Sequence, residues 1–462
     1  MTDDRKLMFA WRHVTVLVVM TLCFGGLATR AVYLHVIDKE FLRRQGDARM
    51  LREEPIAAHR GILKDRNGLP LAVSTPVVSI WVNPKEALAQ QLDIRALAAA
   101  LDLDPAGVRQ RIAASAKREF LYVKRHLSPE AAEAVLANEF PGVYGMTEYR
   151  RFYPEGEVTS HLLGFTNLDD VGQEGLELAL DDKLRGVPGL KRVLRDQKGR
   201  KVKDVALLRQ ARPGQDVRLS FDARTQYLAY RELAQAIEQS GARAGTAVAL
   251  DVETGEVLAM ANQPSFNPNN RTRLKPEELR NRAVTDMFEP GSTMKPFTVA
   301  VALESGKYTT RSQFNTHPGS YRVHNKVITD HHDYGVIDLG TIITKSSNVG
   351  TTQIALSLPA DTLPTFFARF GFGKTTGSGF PGESAGRLQP PERWRPVEIA
   401  TMSYGYGLTT TALQLAHGYA TLASGGIARP VSFTRVDGPV RGERVIAEDI
   451  ARKLIPMMES VV

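Results

Sequence analysis

Residues 288–306 read "FEPGSTMKPFTVAVALESG" and predict a buried helix that opens on a serine and a lysine. A Pro-Gly pair breaks the preceding chain, and Pro296 falls in the first turn, where its missing amide hydrogen costs little. The apolar run that follows favours burial of the helix. A spacing of three residues places Ser292 and Lys295 on one helical face.

This placement predicts unusual chemistry for the lysine. The positive end of the helix dipole and a largely apolar surround both disfavour a charged ammonium, so we expect the pKa of Lys295 to be depressed. A neutral amine can take the proton of a nearby hydroxyl, which is what an activated Ser292 nucleophile requires. The alternative is a capping serine followed by a solvent-facing lysine, because S-x-x-K occurs by chance in many proteins.

A second motif, "KSSNVG" at residues 345–350, raises the specificity of the first. It supplies Ser346 and Asn348 with one residue between them, and the helical-looking "TTQIALSL" follows. In serine enzymes that recognise penicillin, a triplet of this kind provides a proton-relay hydroxyl and an amide that holds the substrate backbone. The two motifs together are far more specific than either alone.

Other side chains near these motifs are weaker candidates. Trp394, Tyr404 and Tyr406 in "PERWRP" and "SYGYG" could line a substrate groove, with ordinary packing as an equal alternative. The "DHHDYG" segment at residues 330–335 invites a metal site, but adjacent histidines point in divergent directions and lack H-x-x-x-H spacing. We therefore expect a loop beside the active-site cleft there, and no metal.

Composition sets broad limits on the class of protein. The 462 residues predict two or three folded units, and 43% hydrophobic with 24% charged residues is ordinary for a globular chain. A net charge of +8 is compatible with nucleic acid, a membrane surface or an acidic polymer as a neighbour. The single cysteine, Cys23, excludes an intramolecular disulfide and a cysteine metal site, and we expect it to pack in a core or in lipid.

Residues 13–29 predict a membrane-spanning helix. They carry no Asp, Glu, Lys or Arg, and the apolar run continues beyond Arg30 to Ile37. Basic residues precede the segment, which predicts a cytoplasmic amino terminus. A cleaved signal peptide ending at Ala28 is the alternative, but the apolar continuation favours an uncleaved anchor.

The region after the anchor predicts mixed structure without chemistry of its own. Residues 58–74 predict a hairpin, residues 93–120 predict helices interrupted by Pro105, and a serine cap at Ser128 predicts another helix start. Residues 189–212 hold nine basic residues against two acidic ones. Because aromatic residues for base stacking are missing, we interpret them as a solvated hairpin rather than a nucleic-acid site.

An α/β domain is predicted to open shortly after Pro213 and Gly214. Residues 224–241 predict an amphipathic helix that stops at a glycine, and residues 246–261 predict a hairpin with "ETGE" as its turn. The helix of Ser292 and Lys295 follows in the same domain.

Five stretches carry a resemblance to a known family: "RGILKDRNG" from Arg60, "EGLELALDDKLRG" from Glu174, "EPGSTMKPF", "KSSNVG" and "FGFGKTTGSGFPGE" from Phe370. On these the sequence resembles a class B penicillin-binding protein, a peptidoglycan D,D-transpeptidase, most closely the division-specific septal type. The resemblance implies a multidomain α+β fold with an N-terminal transmembrane helix, an elongated α/β pedestal and a β-lactamase-like domain, whose antiparallel sheet is flanked by helices. The implied ranges are 1–12 for a cytoplasmic tail, 13–37 for the anchor, 38–214 for the dimerisation-like pedestal and 215–462 for the transpeptidase domain.

The resemblance implies an acyl-serine mechanism that crosslinks the stem peptides of septal cell wall. Ser292 would attack the penultimate D-alanine of a donor peptide, Lys295 would accept the proton, Ser346 would relay it and Asn348 would hold the peptide. β-Lactams would be covalent inhibitors, and no cofactor, metal or nucleic acid is implied. The implied location is the bacterial inner membrane, with one membrane pass, a cytoplasmic amino terminus and a periplasmic catalytic domain. Implied partners are membrane division proteins, including a SEDS-type glycosyltransferase.

One family element is missing from the sequence. A third motif, K-[ST]-G, should follow the helix that "MMESVV" enters, so we expect the domain to be truncated at Val462 and this chain to be acylated by penicillin more slowly than a completed one. "KTTG" at Lys374 is not a substitute, because it precedes "FPGE", has one residue too many and is followed by "SGF" rather than by a strand.

Two other functional classes stay open at this point. A D,D-carboxypeptidase or a β-lactam-sensing enzyme would share the Ser-Lys apparatus, although small hydrolases need neither a pedestal nor an anchor. A noncatalytic division scaffold would use the anchor and pedestal alone, and the missing third motif is its only support.

Overall fold

The computed structural model describes residues 3–37, 51–195, 201–272, 274–390 and 395–461. The chain divides into two compact units. The first unit comprises Met1–Ala58, Val77–Glu148 and Val187–Arg212, and the second comprises His59–Pro76, Tyr149–Gly186 and Pro213–Val462. Two segments of the expected pedestal therefore group with the C-terminal half of the chain. The four ranges drawn from the sequence stay a prediction.

The strands of the described residues are at most 13 residues long and pair mainly in antiparallel fashion. In chain order they are β1 (Leu51–Ile56), β2 (Leu63–Lys64), β3 (Pro70–Val82), β4 (Leu121–Leu127), β5 (Val143–Phe152), β6 (Gly189–Arg195), β7 (Lys201–Arg209), β8 (Val217–Arg218), β9 (Gly245–Leu250), β10 (Val257–Gln263), β11 (Gln313–Asn315), β12 (Ser320–Val323), β13 (Lys326–Thr329), β14 (Val336–Asp338), β15 (Ile427–Ala428) and β16 (Glu443–Arg444).

The α-helices of the described residues include one long helix near the amino terminus. In chain order they are α1 (Asp3–Val32), α2 (Pro84–Ala89), α3 (Ile94–Ala100), α4 (Pro105–Ala114), α5 (Pro129–Leu136), α6 (Ser160–Leu163), α7 (Gly175–Ala179), α8 (Asp181–Leu184), α9 (Ala223–Ser240), α10 (Arg282–Thr285), α11 (Lys295–Glu304), α12 (Leu339–Thr344), α13 (Asn348–Leu356), α14 (Thr362–Arg369), α15 (Pro396–Met402), α16 (Ala412–Ala423) and α17 (Glu448–Glu459).

Helix α1 has the length and composition of a membrane anchor. It continues into a π-helical turn, Tyr33–Ile37, and the apolar span Trp11–Val36 covers 26 residues, none of them buried in the protein. At 1.5 Å per residue such a span exceeds a hydrocarbon core of about 30 Å. Cys23 is exposed on this helix, in keeping with the expected lipid environment.

The first unit has its own small core and two of the expected helix starts. Helices α2 to α5 pack with the second half of β3 and with β4 around a buried apolar cluster. Ser128 Oγ accepts a hydrogen bond from the Ala131 amide, and Pro105 is the first residue of α4, as the sequence predicts. The basic segment forms the hairpin β6–β7, and β6 also pairs with β1. Its predicted turn, "QKGR", lies outside the described residues.

In the second unit, two distant family motifs meet in a buried ionic cluster. Arg60 of "RGILKDRNG" binds Glu177 of "EGLELALDDKLRG", with Nε 2.7 Å from Oε2, and its Nη1 lies 2.6 Å from Asp181 Oδ1. Arg151 Nε donates to the other Glu177 oxygen at 2.6 Å. The Glu177 side chain is fully buried and is shared by two guanidinium groups away from water, while Asp181 supplies a second negative charge to Arg60.

We expect Glu177→Gln to destabilise the protein by about 3 kcal/mol, because removing one partner leaves a buried charge uncompensated. Arg60 would keep Asp181, whereas Arg151 would keep only its bond to the Ser74 hydroxyl. The measurement is the thermal midpoint of the second unit. Glu174→Gln, at an exposed neighbouring carboxyl, is the matched control and should leave the midpoint within a degree or two of the parent. Equal midpoints for the two variants would contradict the prediction.

The core of the second unit surrounds helix α11. Every residue from Lys295 to Leu303 is buried. The Phe297 ring makes edge contacts with Phe370, Phe372 and Tyr419 at centroid distances of 5.1, 5.3 and 5.3 Å. Aromatic pairs of this geometry fix both position and rotation of a helix. Helix α11 therefore presents the side chains of its first turn from a rigid base.

The strands and helix predicted to open this domain are also present. Helix α9 ends at Gly241, which has a left-handed φ of 63° and so ends the helix where a glycine is favoured. It packs on the antiparallel hairpin β9–β10. The domain therefore opens with a helix and a hairpin, as the sequence predicts.

Candidate active site

Ser292 and Lys295 meet at the start of α11. Residues Gly291–Met294 form a 3-10 turn, and the α-helix begins at Lys295. Ser292 thus lies in the tighter turn just before the helix, where it is exposed, while Lys295 is only 1% exposed. The Lys295 Nζ atom lies 3.1 Å from Ser292 Oγ. This distance is short enough for direct proton transfer between the two groups.

Burial changes the ionisation of the lysine. Desolvation lowers the pKa of Lys295 to about 8, and the nearby Asp330 carboxylate acts in the opposite sense. The direction is the one expected from the sequence. A usable fraction of the amine is therefore neutral near pH 7, and a neutral amine has the lone pair that a general base needs.

The second motif brings a second hydroxyl to the same point. Ser346 Oγ lies 2.8 Å from Lys295 Nζ and 3.0 Å from Ser292 Oγ, so the three groups form a closed triangle. Ser346 has a φ of 53°, a left-handed conformation that costs energy in a serine. The strained backbone also turns the Ser346 carbonyl toward Lys295 Nζ, which donates to it.

With a neutral amine, every polar group of this triangle is satisfied. Lys295 can donate one hydrogen to the Ser346 carbonyl and one to Ser346 Oγ. Ser346 can then donate to Ser292 Oγ, and Ser292 can donate to the amine lone pair. A hydroxyl that already donates to a base is set up to lose its proton to it.

Asn348 begins helix α13, and its side chain is tied to a neighbouring hairpin. Ser347 caps that helix, its Oγ accepting from the Gly350 amide at 2.9 Å. The Asn348 Nδ2 atom donates to the Thr329 carbonyl at 3.0 Å. The amide oxygen is thereby oriented by a fixed partner on the amide nitrogen.

Asp330 is a residue of this site that the sequence analysis missed. Its carboxylate accepts from Ser347 Oγ at 2.6 Å and from the Asn348 and Val349 amides at 2.5 and 3.0 Å. Hydrogen bonds to a carboxylate are among the stronger ones in proteins. Asp330 therefore fixes the strained second motif against the lysine. No spacing rule for the segment "DHHDYG" predicts this role.

We expect Asp330→Asn to reduce acylation by penicillin by about ten- to a hundredfold, because hydrogen bonds to charged groups contribute about 1.5–3 kcal/mol. The substitution also removes a charge that raises the pKa of Lys295, so the pH profile should shift to lower pH. Asp333→Asn is the control, since that exposed carboxylate binds His317 and the Gly335 amide instead. A rate and profile equal to the parent's would contradict the assigned role.

The two candidate tyrosines lie in different environments. Tyr404 is 7% exposed and packs with Val323, Ile328 and Ala400 in a small buried cluster. This environment is the one expected for a tyrosine that packs in the protein interior rather than lining a substrate groove. Tyr406 is 50% exposed and makes an edge contact with the Tyr404 ring. A substrate-binding role stays a prediction for both. Trp394, the third aromatic candidate, lies outside the described residues.

The turn between these tyrosines touches the turn that carries Ser292. The Gly291 amide donates to the Gly405 carbonyl at 3.0 Å. A Cβ on Gly405 would lie 2.0 Å from the Gly291 carbonyl oxygen, so only glycine fits. Glu289 Oε1 accepts from the Gly407 amide at 2.8 Å, which adds a second tie between the two turns.

The "KTTG" stretch does not occupy a strand. Lys374 follows helix α14, and its carbonyl accepts from the Gln414 side chain. Glu383 accepts from the Thr376 amide and hydroxyl, both at 2.6 Å, and from Ser378 Oγ at 2.7 Å. This loop is held by its own carboxylate, which agrees with its exclusion as a third motif.

No group of three or more metal-binding side chains occurs among the residues that the structure describes. His317 Nδ1 lies 2.5 Å from Asp333 Oδ2, and the rings of His332 and Tyr334 are in edge contact. The "DHHDYG" segment thus contributes its first aspartate to the active-site loop.

Two stretches of the chain match known families in sequence. Residues 245–462 match the penicillin binding protein transpeptidase domain, and residues 55–219 match the penicillin-binding protein dimerisation domain. The chain is 44% identical to peptidoglycan D,D-transpeptidase FtsI of Escherichia coli over 464 aligned residues, covering 99% of this chain and 78% of the relative. It is 41% identical to probable peptidoglycan D,D-transpeptidase PenA of Neisseria meningitidis, covering 100% and 78%.

Solved structures show the same fold. Penicillin binding protein 3 of Mycobacterium tuberculosis, complexed with aztreonam, aligns with a TM-score of 0.67 at 25% identity, over 88% of this chain and 76% of that chain. Penicillin binding protein 2X of Streptococcus thermophilus aligns with a TM-score of 0.71 at 20% identity, over 88% and 66%. At 20% identity the second likeness concerns the fold alone.

Proposed function

The chain belongs to the class B penicillin-binding proteins of the septal type, and from that membership we propose that it is a serine-type peptidoglycan D,D-transpeptidase. Its substrates are then peptidoglycan stem peptides, and β-lactams are its covalent inhibitors. The observation that carries the proposal is the triangle of Ser292 Oγ, Lys295 Nζ and Ser346 Oγ, whose three sides measure 2.8–3.1 Å.

In the proposed reaction, Ser292 Oγ attacks the carbonyl carbon of the penultimate D-alanine of a donor peptide. Lys295 accepts the hydroxyl proton as the ester bond forms, and Ser346 passes a proton to the nitrogen of the departing D-alanine. An amine of a neighbouring peptide then attacks the ester, forms the crosslinking amide and returns the proton to Ser292. Asn348 holds the donor backbone throughout.

The acyl transfer also needs hydrogen-bond donors for the negative charge on the attacked oxygen. The first amides of a helical turn have no partner within it, so the Ser292 amide, at the start of the 3-10 turn Gly291–Met294, is a suitable donor. Removing one such donor typically costs about 3–4 kcal/mol of transition-state stabilisation. Tyr406, which is exposed beside the turn of Ser292, is proposed as a contact for the bound peptide. The buried Tyr404 ring makes an edge contact with the Tyr406 ring and helps to hold it in position.

The direct test is to locate the acyl group. The full chain is incubated with labelled penicillin, digested and analysed by mass spectrometry. We expect the label on the peptide that contains Ser292. A label on another side chain would refute the proposed nucleophile.

A hydrolytic enzyme with the same Ser-Lys pair is the second candidate. The match of residues 55–219 to the dimerisation domain favours the transpeptidase, because small hydrolases lack such a domain. The two differ in the fate of the acyl-enzyme. With a D-alanyl thioester donor, an added amine acceptor should yield crosslinked peptide from a transpeptidase and only free acid from a carboxypeptidase.

We also propose the cellular arrangement of the chain. The apolar helix α1 serves as a single-pass anchor in the inner membrane, and the basic residues before it favour a cytoplasmic amino terminus. The pedestal, residues 38–214, and the transpeptidase domain, residues 215–462, are then periplasmic. Membrane division proteins, including a SEDS-type glycosyltransferase, are the proposed partners.

A noncatalytic scaffold would still support division after Ser292→Ala, whereas an essential transpeptidase would not.

A further inference from the structure

The hairpin β12–β13 lies directly beside Asn348 and exposes one of its faces. Ser320 pairs with Thr329, and Arg322 pairs with Val327. Directly paired residues share a face, as do alternate residues along a strand. Arg322 therefore projects from the same face as the Thr329 side chain, and it belongs to the hairpin whose Thr329 carbonyl accepts a hydrogen bond from Asn348 Nδ2.

The opposite face of this hairpin is the one that faces the core. Val323 and Ile328 are 5% and 3% exposed and pack against Ala400 and Tyr404. Arg322 is exposed on the other face. A residue on the outer face of a hairpin anchored in this way has a fixed backbone and a side chain free to contact a ligand.

A second exposed cation lies three residues before Asn348 in the chain. Lys345 immediately precedes Ser346, and its side chain is exposed. We call Arg322 and Lys345 the cationic rim. One belongs to the hairpin that Asn348 contacts, and the other belongs to the segment that leads into Asn348.

The cationic rim is not neutralised by its surroundings. Across the described ranges of the chain, neither side chain has a hydrogen bond or an ion pair to a protein group. The nearby carboxylates already have partners: Asp330 binds Ser347 and Asn348, Asp333 binds His317, and Asp338 caps helix α12 at Thr341. The rim therefore consists of two exposed cations, neither of which is paired with a carboxylate among the residues that the structure describes.

We propose that Arg322 and Lys345 bind carboxylates of the donor peptide, so that the enzyme selects an acidic stem peptide over a neutral one. This inference rests on the proposed function, in which Asn348 holds the donor backbone next to the attacked carbonyl. Each further residue of an extended peptide adds about 3.5 Å, so groups one or two residues before the D-alanine reach beyond Asn348 to the rim. A planar guanidinium matches a carboxylate with two parallel hydrogen bonds.

The test compares two synthetic thioester donors that end in D-alanine and differ only two residues before it. One carries a carboxylate there and the other a carboxamide. We expect the full chain to be acylated about five- to tenfold faster by the carboxylate donor at low salt, because each exposed ion pair contributes a factor of about two to five. The preference should shrink as salt rises toward 1 M, where the Debye length is about 3 Å.

Substitutions of the two rim residues test whether they cause the preference for the carboxylate donor. Arg322→Gln with Lys345→Gln should bring the ratio of the two rates close to one, and Arg322→Glu should reverse it toward a donor that carries an amine at the same position. Arg243→Gln removes an exposed cation from the segment between α9 and β9 and is the matched control, for which the ratio should equal the parent's.

The same peptides prepared as unreactive amides give an independent measurement by competition with labelled penicillin. Equal rates and equal inhibition by both members of the pair in the parent chain would overturn the inference, as would a preference that survives the double substitution. Failure of the proposed function has a different signature, because neither donor nor labelled penicillin would then esterify Ser292.

Discussion

Ser292→Ala is expected to abolish covalent labelling by penicillin. The ester requires an oxygen nucleophile, and the nearest remaining hydroxyl, Ser346 Oγ, lies 3.0 Å from the lost atom and on a strained backbone that directs it to Lys295. The measurement is the amount of labelled protein after prolonged incubation with excess penicillin. A loss of at least about a thousandfold in the apparent rate is expected, since loss of a serine nucleophile can cost up to about a millionfold.

The control for this variant is a measurement that shows it still folds like the parent. Ser292 is exposed and lies outside the buried run of α11, so its removal should leave the thermal midpoint unchanged. Non-covalent protection by penicillin should also persist, because the Asn348 side chain and its Thr329 contact remain. Labelling of the variant on Ser346 would show that the two hydroxyls can exchange roles, and would contradict the assignment of Ser292 as the sole nucleophile.

Sequence patterns were sufficient to predict those structural elements that neighbouring residues determine. The Pro-Gly break, the proline in the first turn and the i to i+3 spacing are properties of residues 290–296, and the structure has the expected pair there. The same holds for the Ser128 cap and for the stop of helix α9 at Gly241. Each is decided within one or two turns of backbone, where propensity and capping rules apply. Resemblance to the septal class B family was likewise correct, and the fold it implied is observed.

Features that depend on distant parts of the chain could not be read from local patterns. Asp330 acts on the second motif from a segment without regular structure, so its position follows from the tertiary fold alone. Glu177 lies within a family motif, but its role as the shared partner of two buried arginines appears only when segments 117 residues apart meet. Long-range polar networks have no sequence periodicity, which is why they escape analysis by pattern.

Burial of single side chains was also beyond the sequence. "SYGYG" offers two tyrosines in equivalent local settings, yet one is buried in the cluster with Val323 and the other is half exposed. The grouping of residues 59–76 and 149–186 with the second unit has the same origin, since only contacts reveal which segments share a core.

The ionisation of Lys295 leads to the second large expected effect. Its pKa is lowered to about 8 by burial, so the fraction of neutral amine rises about tenfold between pH 7 and pH 9. The rate of acylation should rise by the same factor and reach a plateau above pH 9. Lys295→Met keeps most of the side-chain volume without the amine, and we expect a loss of about 10²–10⁴-fold with no remaining dependence in this pH range. A parent rate that is flat from pH 7 to pH 9 would exclude the neutral amine as the base.

The same substitution should stabilise the folded protein while it removes the activity. A lysine whose folded pKa lies near 8, below its ordinary value of 10.5, holds its proton less tightly in the folded state. Its destabilising effect is therefore complete below pH 8, about 3 kcal/mol for a shift of this size, and it disappears as the pH rises through 10.5. Lys295→Met should raise the thermal midpoint at pH 7 relative to the parent, and the difference should narrow above pH 10. A midpoint at pH 7 equal to or below the parent's would mean that the buried ammonium is stabilised by its oxygen neighbours, and the amine would then remain protonated in the resting enzyme.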